Sequence, residues 1–273
     1  MRLLITVKTY PIPSAKYDEL VCTAGVQEDG TFVRLYPINF RDLPYSQQYK
    51  KYQWIEAEVQ KHSGRDIRKE SYRPNCDTIR LIGEPIPTGK HGDWSKRAKC
   101  ALAKGSASME HLYAQQQADR TSLGIFRPKT IQELVFAPDE ADWKPAFKAA
   151  LAQARLWENR TASREPPRKV PFKFQYRFTC DDPSCKGHRM MIEDWEVGAL
   201  YWRCVDGGAT PTEACQKVRQ KFLDQLCGSD RDTHFYVGTI LAYPKSWVVI
   251  GVFWPKRENA PPELSLPFLT GLE

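Results

Sequence analysis

Apolar and polar positions divide the chain into three regimes. Over residues 1–86 the apolar runs are short and lack helical spacing, and Leu3–Val7, Leu20–Val26, Thr31–Pro37, Gln53–Val59 and Thr78–Gly83 read as strands. Between the second and third lies Gln27-Glu28-Asp29-Gly30, and an Asp-Gly pair between strand-like runs is a hairpin signal because both residues tolerate positive φ. Short strands in this number predict a small barrel or curved sheet, OB-like or PUA-like, and their count does not choose between the two.

From residue 87 to 165 the period lengthens. Ser108 stands where it can cap a helix running to about Gln117, with Met109, Leu112 and Tyr113 on one side. Thr121–Val135 reads as a connector holding a strand or a short helix. Pro145–Asn159 reads as a helix whose apolar face is Phe147, Leu151, Ala154 and Trp157. Arg160–Pro171 has no period and is rich in Arg, Ser and Pro, as linkers are. Beyond it, Phe172, Phe174, Tyr176 and Phe178 alternate with polar residues in a half-buried strand. Thr210-Pro211-Thr212-Glu213 is a capping box opening a helix with Cys215, Val218, Phe222 and Leu226 on one face and a stop at Gly228. Phe235–Leu241 and Trp247–Trp254 read as two further strands. The predicted class is α+β: a β-rich, barrel-like basic module over 1–95, a helical connector over 96–165 and an α+β unit over 166–273.

Composition narrows the partners. With 41% hydrophobic and 27% charged residues among 273, wholesale disorder is excluded. No run approaches the roughly 18 apolar residues of a membrane span, and the first residues lack the apolar core, at least ~7 residues long, of a secretory signal. The expectation is a cytoplasmic protein without a membrane partner, whose 8 cysteines serve as thiols or metal ligands rather than disulfides. The formal charge is +7, and the window 34–104, with 15 Lys or Arg against 8 Asp or Glu, carries an excess equal to that of the whole chain. Phosphate loops, dinucleotide-binding Gly-x-Gly-x-x-Gly, Gly-x-Ser-x-Gly elbows and the zinc-deaminase pattern are all missing.

Two features carry candidate chemistry. Cys180, Cys185 and His188 follow directly on a strand, with Pro183 and Gly187 able to turn the chain so that all three converge. Two thiols and an imidazole make most of a structural zinc site. Cys204 is the nearest fourth ligand, with Cys215, Cys227, His234 or a carboxylate as alternatives. A zinc ion there would support the C-terminal unit. Second, Arg34-Leu35-Tyr36-Pro37-Ile38-Asn39-Phe40-Arg41 and the following Tyr45, Tyr49, Lys50, Lys51, Tyr52 and Trp54 interleave cations with aromatics. Cations attract phosphates and aromatic faces stack on unpaired bases, although an amphipathic sheet would give the same alternation. In Arg65–Pro74, a strand would put Asp66, Arg68 and Glu70 on one face, either as a held carboxylate between guanidinium groups or as a surface ladder of ion pairs. Asp194 and Glu196 would share a side if their segment is a strand, with Trp195 packed inward.

The stretches Ile5–Pro11, Glu19–Gly25, Arg34–Pro37, Lys51–Glu56, the Cys-Cys-His cluster and Phe235–Thr239 together resemble an uncharacterised prokaryotic family of similar length associated with phage defence. Within that setting the chain resembles the anti-phage DNA glycosylase that excises glucosylated hydroxymethylcytosine. The Gly-Gln-Asp-Pro-type and His-Pro-Ser-type loops of uracil glycosylases are not present. The resemblance implies a DNA-acting enzyme that hydrolyses N-glycosidic bonds and flips its target base. It would need a carboxylate beside the sugar: Asp66, Glu70 or Asp194. Tyr36, Phe40 and Trp54 would stack on bases, and Arg34, Arg41, Lys50, Lys51, Arg68 and Arg73 would grip phosphates. The alternative is a binding module for nucleic acid or a modified base, with structural zinc and no catalysis.

Overall fold

The computed structural model describes residues 1–257 apart from 15, 63, 65, 147, 150, 151 and 154–164. The apolar face expected over Pro145–Asn159, part of the expected linker, and Arg65 lie outside the described residues.

The N-terminal half is built on one mixed sheet. Its strands are β1 (Arg2–Lys8), β2 (Ile12–Ser14), β3 (Asp18–Val26), β4 (Phe32–Ile38), β5 (Trp54–Glu56), β6 (Val59–Lys61), β7 (Ser71–Pro74) and β8 (Arg80–Ile82). They run in the order β6-β7-β4-β3-β1-β5-β8, with β2 added onto β3. The expected hairpin joins β3 to β4, where Gly30 takes a φ of +81° that a side chain would resist. The strand expected over Gln53–Val59 breaks into β5 and β6. The β4–β7 pair is parallel and sets Arg34 beside Ser71. Residues of β1 are buried on both faces: Leu3 and Ile5 in one cluster, Leu4 and Val7 in another, with a bulge between Ile5 and Val7.

A short helix, α1 (Ser95–Ala101), leads to α2 (Met109–Asp119), capped as expected by the Ser108 hydroxyl, which accepts from the His111 N–H at 3.1 Å. Next come β9 (Leu123–Phe126) and β10 (Thr130–Pro138), then β11 (Phe172–Thr179), β12 (His188–Met191), β13 (His234–Ile240) and β14 (Tyr243–Phe253). They form two three-stranded sheets, β10-β11-β12 and β14-β13-β9. Residues 96–165, expected as a helical connector, therefore give two strands to the C-terminal sheets. The alternation in β11 buries Phe174, Tyr176 and Phe178.

Two further helices cover this core. Asp194 does not lie in a strand: it is the N-cap of α3 (Trp195–Asp206), its carboxylate accepting from the Glu196 N–H at 2.9 Å. Val197 and Tyr201, one turn apart, are the buried face. The Thr210–Glu213 capping box opens α4 (Pro211–Arg219), which continues as a π-helical stretch over Gln220–Gln225. The halves share a core in which Leu4, Val26, Trp94 and Ala98 pack with Ile125, Tyr236, Ile250 and Phe253. Among the described residues no helix is long and apolar enough to cross a membrane.

Candidate functional site

The turn between β11 and β12 holds the cysteine cluster. Asp182 shapes it, its carboxylate accepting from the Ser184 N–H at 2.9 Å and its carbonyl from the Cys185 N–H at 3.0 Å. Gly187, with φ +89°, turns the chain back into His188. The Ser108 hydroxyl donates to the Asp182 carboxylate at 3.1 Å, which docks the start of α2 on the turn. Glu110, in the first turn of that helix, then meets Cys180, Cys185 and His188, and one ligand atom from each lies within 4.8 Å of all the others. Cys185 Sγ is 3.4 Å from His188 Nε2, which is 2.9 Å from Glu110 Oε1. Tetrahedral zinc with Zn–S near 2.3 Å and Zn–N near 2.0 Å separates its ligands by roughly 3.3–3.8 Å, so little movement would close these four on an ion. Two observations fit a cation: Glu110 Oε2 is buried with no hydrogen-bond partner, and the thiols accept backbone N–H groups, Met109 on Cys180 at 3.4 Å and Cys180 on Cys185 at 3.2 Å. The cluster could hold a metal ion.

Cys204 does not supply the fourth group. It lies on α3, half-buried against the C-terminal core. Cys215 is buried on α4, Cys227 faces the Phe222 carbonyl at 3.2 Å, and His234 faces the Asp232 carbonyl at 3.0 Å. The fourth group is a carboxylate, but one 78 positions before His188. Its only local mark in the sequence is its place two residues after a helix cap.

Several of the residues expected to touch DNA are engaged inside the protein. Arg34 is 1% exposed. Its guanidinium donates to the Ser122 hydroxyl at 2.7 Å, the Ser122 carbonyl at 2.9 Å and the Ser71 hydroxyl at 3.2 Å. Ser122 extends the network, its hydroxyl donating to Glu70 at 2.6 Å and its N–H to the same carboxylate at 3.0 Å. Gly238 leaves the room, since a Cβ there would come within 3.2 Å of the guanidinium. Arg34, Ser122 and Glu70 thus bolt the N-terminal sheet to β9 and β13. Asp66 is chelated by Arg68, Oδ1 accepting from Nε and Oδ2 from Nη2, both at 2.7 Å. Burial works against the Asp66 charge, but the Arg68 guanidinium outweighs it and holds the carboxyl down at about 2. Neither Asp66 nor Glu70 has the open oxygen a catalytic carboxylate needs.

Asp194 is likewise taken, by Lys51 at 2.9 Å. Burial opposes the Lys51 charge, yet Asp194 and Glu196 raise its pKa above the ordinary value, so this half-buried ammonium is committed to its two carboxylates. Phe40 is buried edge-on to Tyr49 and Trp195, with Lys8 Nζ 4.0 Å from its ring centre. Arg41 pairs with Glu19 at 2.5 Å. Tyr36 and Trp54 are half-buried, and Arg2 lies over the Trp54 ring at 5.1 Å. Lys50 and Arg73 are exposed.

Directly outside the Arg34 network is a cavity of about 570 Å³ between the halves, within the range of roughly 300–1,000 Å³ usual for small-ligand sites. Tyr113, Gln117 and Arg120 of α2 form one wall; Ile67 and Arg68 form another; Thr239, Pro244 and Lys245 complete it. Arg68 holds its place by donating to the Thr239 carbonyl at 3.0 Å. Arg120 is the left-handed C-cap of α2. Arg120 and Lys245 are exposed and form no ion pair among the described residues. Tyr113 also packs near His188, ring centres 6.1 Å apart, so one helix connects the thiol cluster to the cavity. Sequence reading missed this wall because Tyr113, Gln117 and Arg120 sit in a helix of unremarkable pattern.

Comparison with known proteins adds little chemistry. No curated protein matches the chain. A solved structure described as a murine DNA binding protein bound with double-stranded DNA is 11% identical over 96% of this chain and 97% of that one, at a TM-score of 0.30. Residues 1–103 match a model described as Domain of unknown function (DUF8758). Residues 105–268, more than half of the sequence, match Domain of unknown function (DUF8757), and the chain belongs to that family.

Proposed function

We propose that this protein binds nucleic acid, DNA above all, and seats one unpaired nucleotide in the cavity between its halves. The observation that carries this reading is the pairing, around that cavity, of one aromatic ring, Tyr113, and the apolar Ile67 and Pro244 with two cations, Arg120 and Lys245, that form no ion pair among the described residues. A base would lie against Tyr113, Ile67 and Pro244, while the cations take the flanking phosphates. The thiol cluster would hold zinc: two thiolates, one imidazole and one carboxylate suit that borderline ion and not magnesium or calcium. Bound there, zinc would fix the start of α2 and so the wall carrying Tyr113 and Arg120.

Binding without cleavage is the version the geometry favours. Base excision, which the resemblance to an anti-phage glycosylase would add, needs a carboxylate near the sugar. The side chains lining this cavity include none, and Asp66 and Glu70 are consumed behind it.

The test is titration with fluorescent single-stranded and duplex oligonucleotides over a range of salt concentrations. Binding should weaken linearly in log–log form, and Arg120→Glu with Lys245→Glu should cut affinity and lower the slope by about 1 for each phosphate left without its cation. No association at micromolar protein in low salt overturns the proposal, as does an unchanged slope in the double variant. Incubation with glucosylated phage DNA followed by alkali should leave strands intact; alkali-labile sites would restore excision.

A further inference from the structure

A second cavity, of about 210 Å³, opens between Tyr10 and the layer formed by β11 and α3. It lies below the range of roughly 300–1,000 Å³ for drug-sized ligands, so its occupant is a single small ring system. Tyr10, Trp143 and Phe172 supply aromatic walls. The polar ends of two of them are already bound: the Tyr10 hydroxyl donates to the Arg168 carbonyl at 2.9 Å and Trp143 Nε1 to the Pro167 carbonyl at 2.7 Å. What these rings offer the cavity is their flat apolar surface.

The charged groups around the cavity are mostly satisfied by one another. Asp139 takes Lys169 at 2.9 Å and Lys173 at 3.0 Å, and Asp194 takes Lys51. Glu193 is different. Its backbone is pinned, the N–H donating to the Val249 carbonyl at 2.8 Å and the carbonyl accepting from the Tyr10 N–H at 3.0 Å. Its carboxyl, which lines the cavity, accepts no hydrogen bond among the described residues. Burial lifts it to about 7, with nearby Asp139 adding to the rise and the Lys173 ammonium opposing it, so it keeps its proton into the neutral range. A protonated carboxyl presents an O–H donor beside a C=O acceptor.

We propose that this cavity binds a planar heterocycle, a free or extruded aminated nucleobase such as cytosine, stacked against Tyr10, Trp143 and Phe172 and paired through its ring nitrogen and exocyclic amine to the carboxyl of Glu193. The carboxyl O–H donates to the ring nitrogen and its C=O accepts from the amine. This site is separate from the one proposed for the polynucleotide and does not depend on it.

The experiment is calorimetric or NMR titration of the full chain with cytosine. Wild-type affinity should fall about tenfold between about pH 6 and about pH 8, as the O–H donor is lost through a group titrating near 7. Glu193→Gln, whose amide also sets a donor beside an acceptor, should bind with little pH dependence. Glu193→Ala should lose at least about tenfold near pH 6. Arg120→Glu with Lys245→Glu should bind cytosine normally, which separates failure here from failure of the polynucleotide reading. Absence of wild-type binding at millimolar cytosine overturns the proposal. So does an unchanged affinity in folded Glu193→Ala, or a Gln variant that keeps the wild-type pH profile.

Discussion

Replacing Arg34 by methionine should unfold the protein more easily without touching its affinity for nucleic acid. The methionine keeps the aliphatic stem and removes three charge-assisted hydrogen bonds, to the Ser71 hydroxyl and to the hydroxyl and carbonyl of Ser122. Hydrogen bonds to charged groups contribute about 1.5–3 kcal/mol each. Part of this is recovered, because the Ser122 carbonyl still accepts from the Thr239 N–H at 3.0 Å and its hydroxyl still reaches Glu70. Glu70, however, is 6% exposed and loses the buried positive charge with which it shares Ser122. Breaking a buried charge network from one side costs about 3–5 kcal/mol, and we expect a loss in that range. For a chain of this size it corresponds to a drop in Tm of about 5–9 °C. Urea unfolding followed by tryptophan fluorescence would show a lower midpoint at constant slope. The oligonucleotide affinity of the folded variant should match wild type. A stability loss under about 1 kcal/mol together with weakened oligonucleotide binding would refute the assignment and return Arg34 to the phosphate-contacting set.

Purified protein should carry one equivalent of zinc, lost in Cys185→Ser and in Glu110→Ala and kept in Cys204→Ser. Chelation should lower Tm by loosening the start of α2, since metal that binds only the folded chain stabilises it by mass action; zinc retained by Cys185→Ser would refute the site. Glu193 sets a stability slope with pH. Its folded pKa is raised to about 7, so its contribution is complete below the ordinary carboxylate range and is lost as pH rises through that value. Glu193→Gln should therefore match wild type below about pH 4, draw ahead of it as pH rises toward 7 and exceed it by about 1–3 kcal/mol near pH 8, and parallel stability curves for the two proteins would refute it.

Local signals were legible wherever one residue type settles a local geometry. Ser108 and the Thr210–Glu213 box marked two helix starts, Asp29-Gly30 marked the hairpin, and the alternation through Phe174, Tyr176 and Phe178 marked a buried strand. Cys180, Cys185 and His188 converge as their spacing predicted. Misreadings came where the same residues allow two local structures. Asp194-Trp195-Glu196 fits a short strand or a capped helix start, and the next turn of packing by Val197 and Tyr201 decided for the helix.

Tertiary structure alone decided what the charges are for. A sequence gives Arg34, Lys51, Arg68 and Arg120 the same cation, but desolvation and partners depend on residues far along the chain: Ser122 for Arg34, Asp194 for Lys51, Thr239 for Arg68. The same holds for Glu110, which reaches the thiols because a capped helix docks on a turn. Folding neutralises the cations that can find a buried partner and leaves exposed those that cannot, and that sorting is a long-range outcome no local pattern encodes.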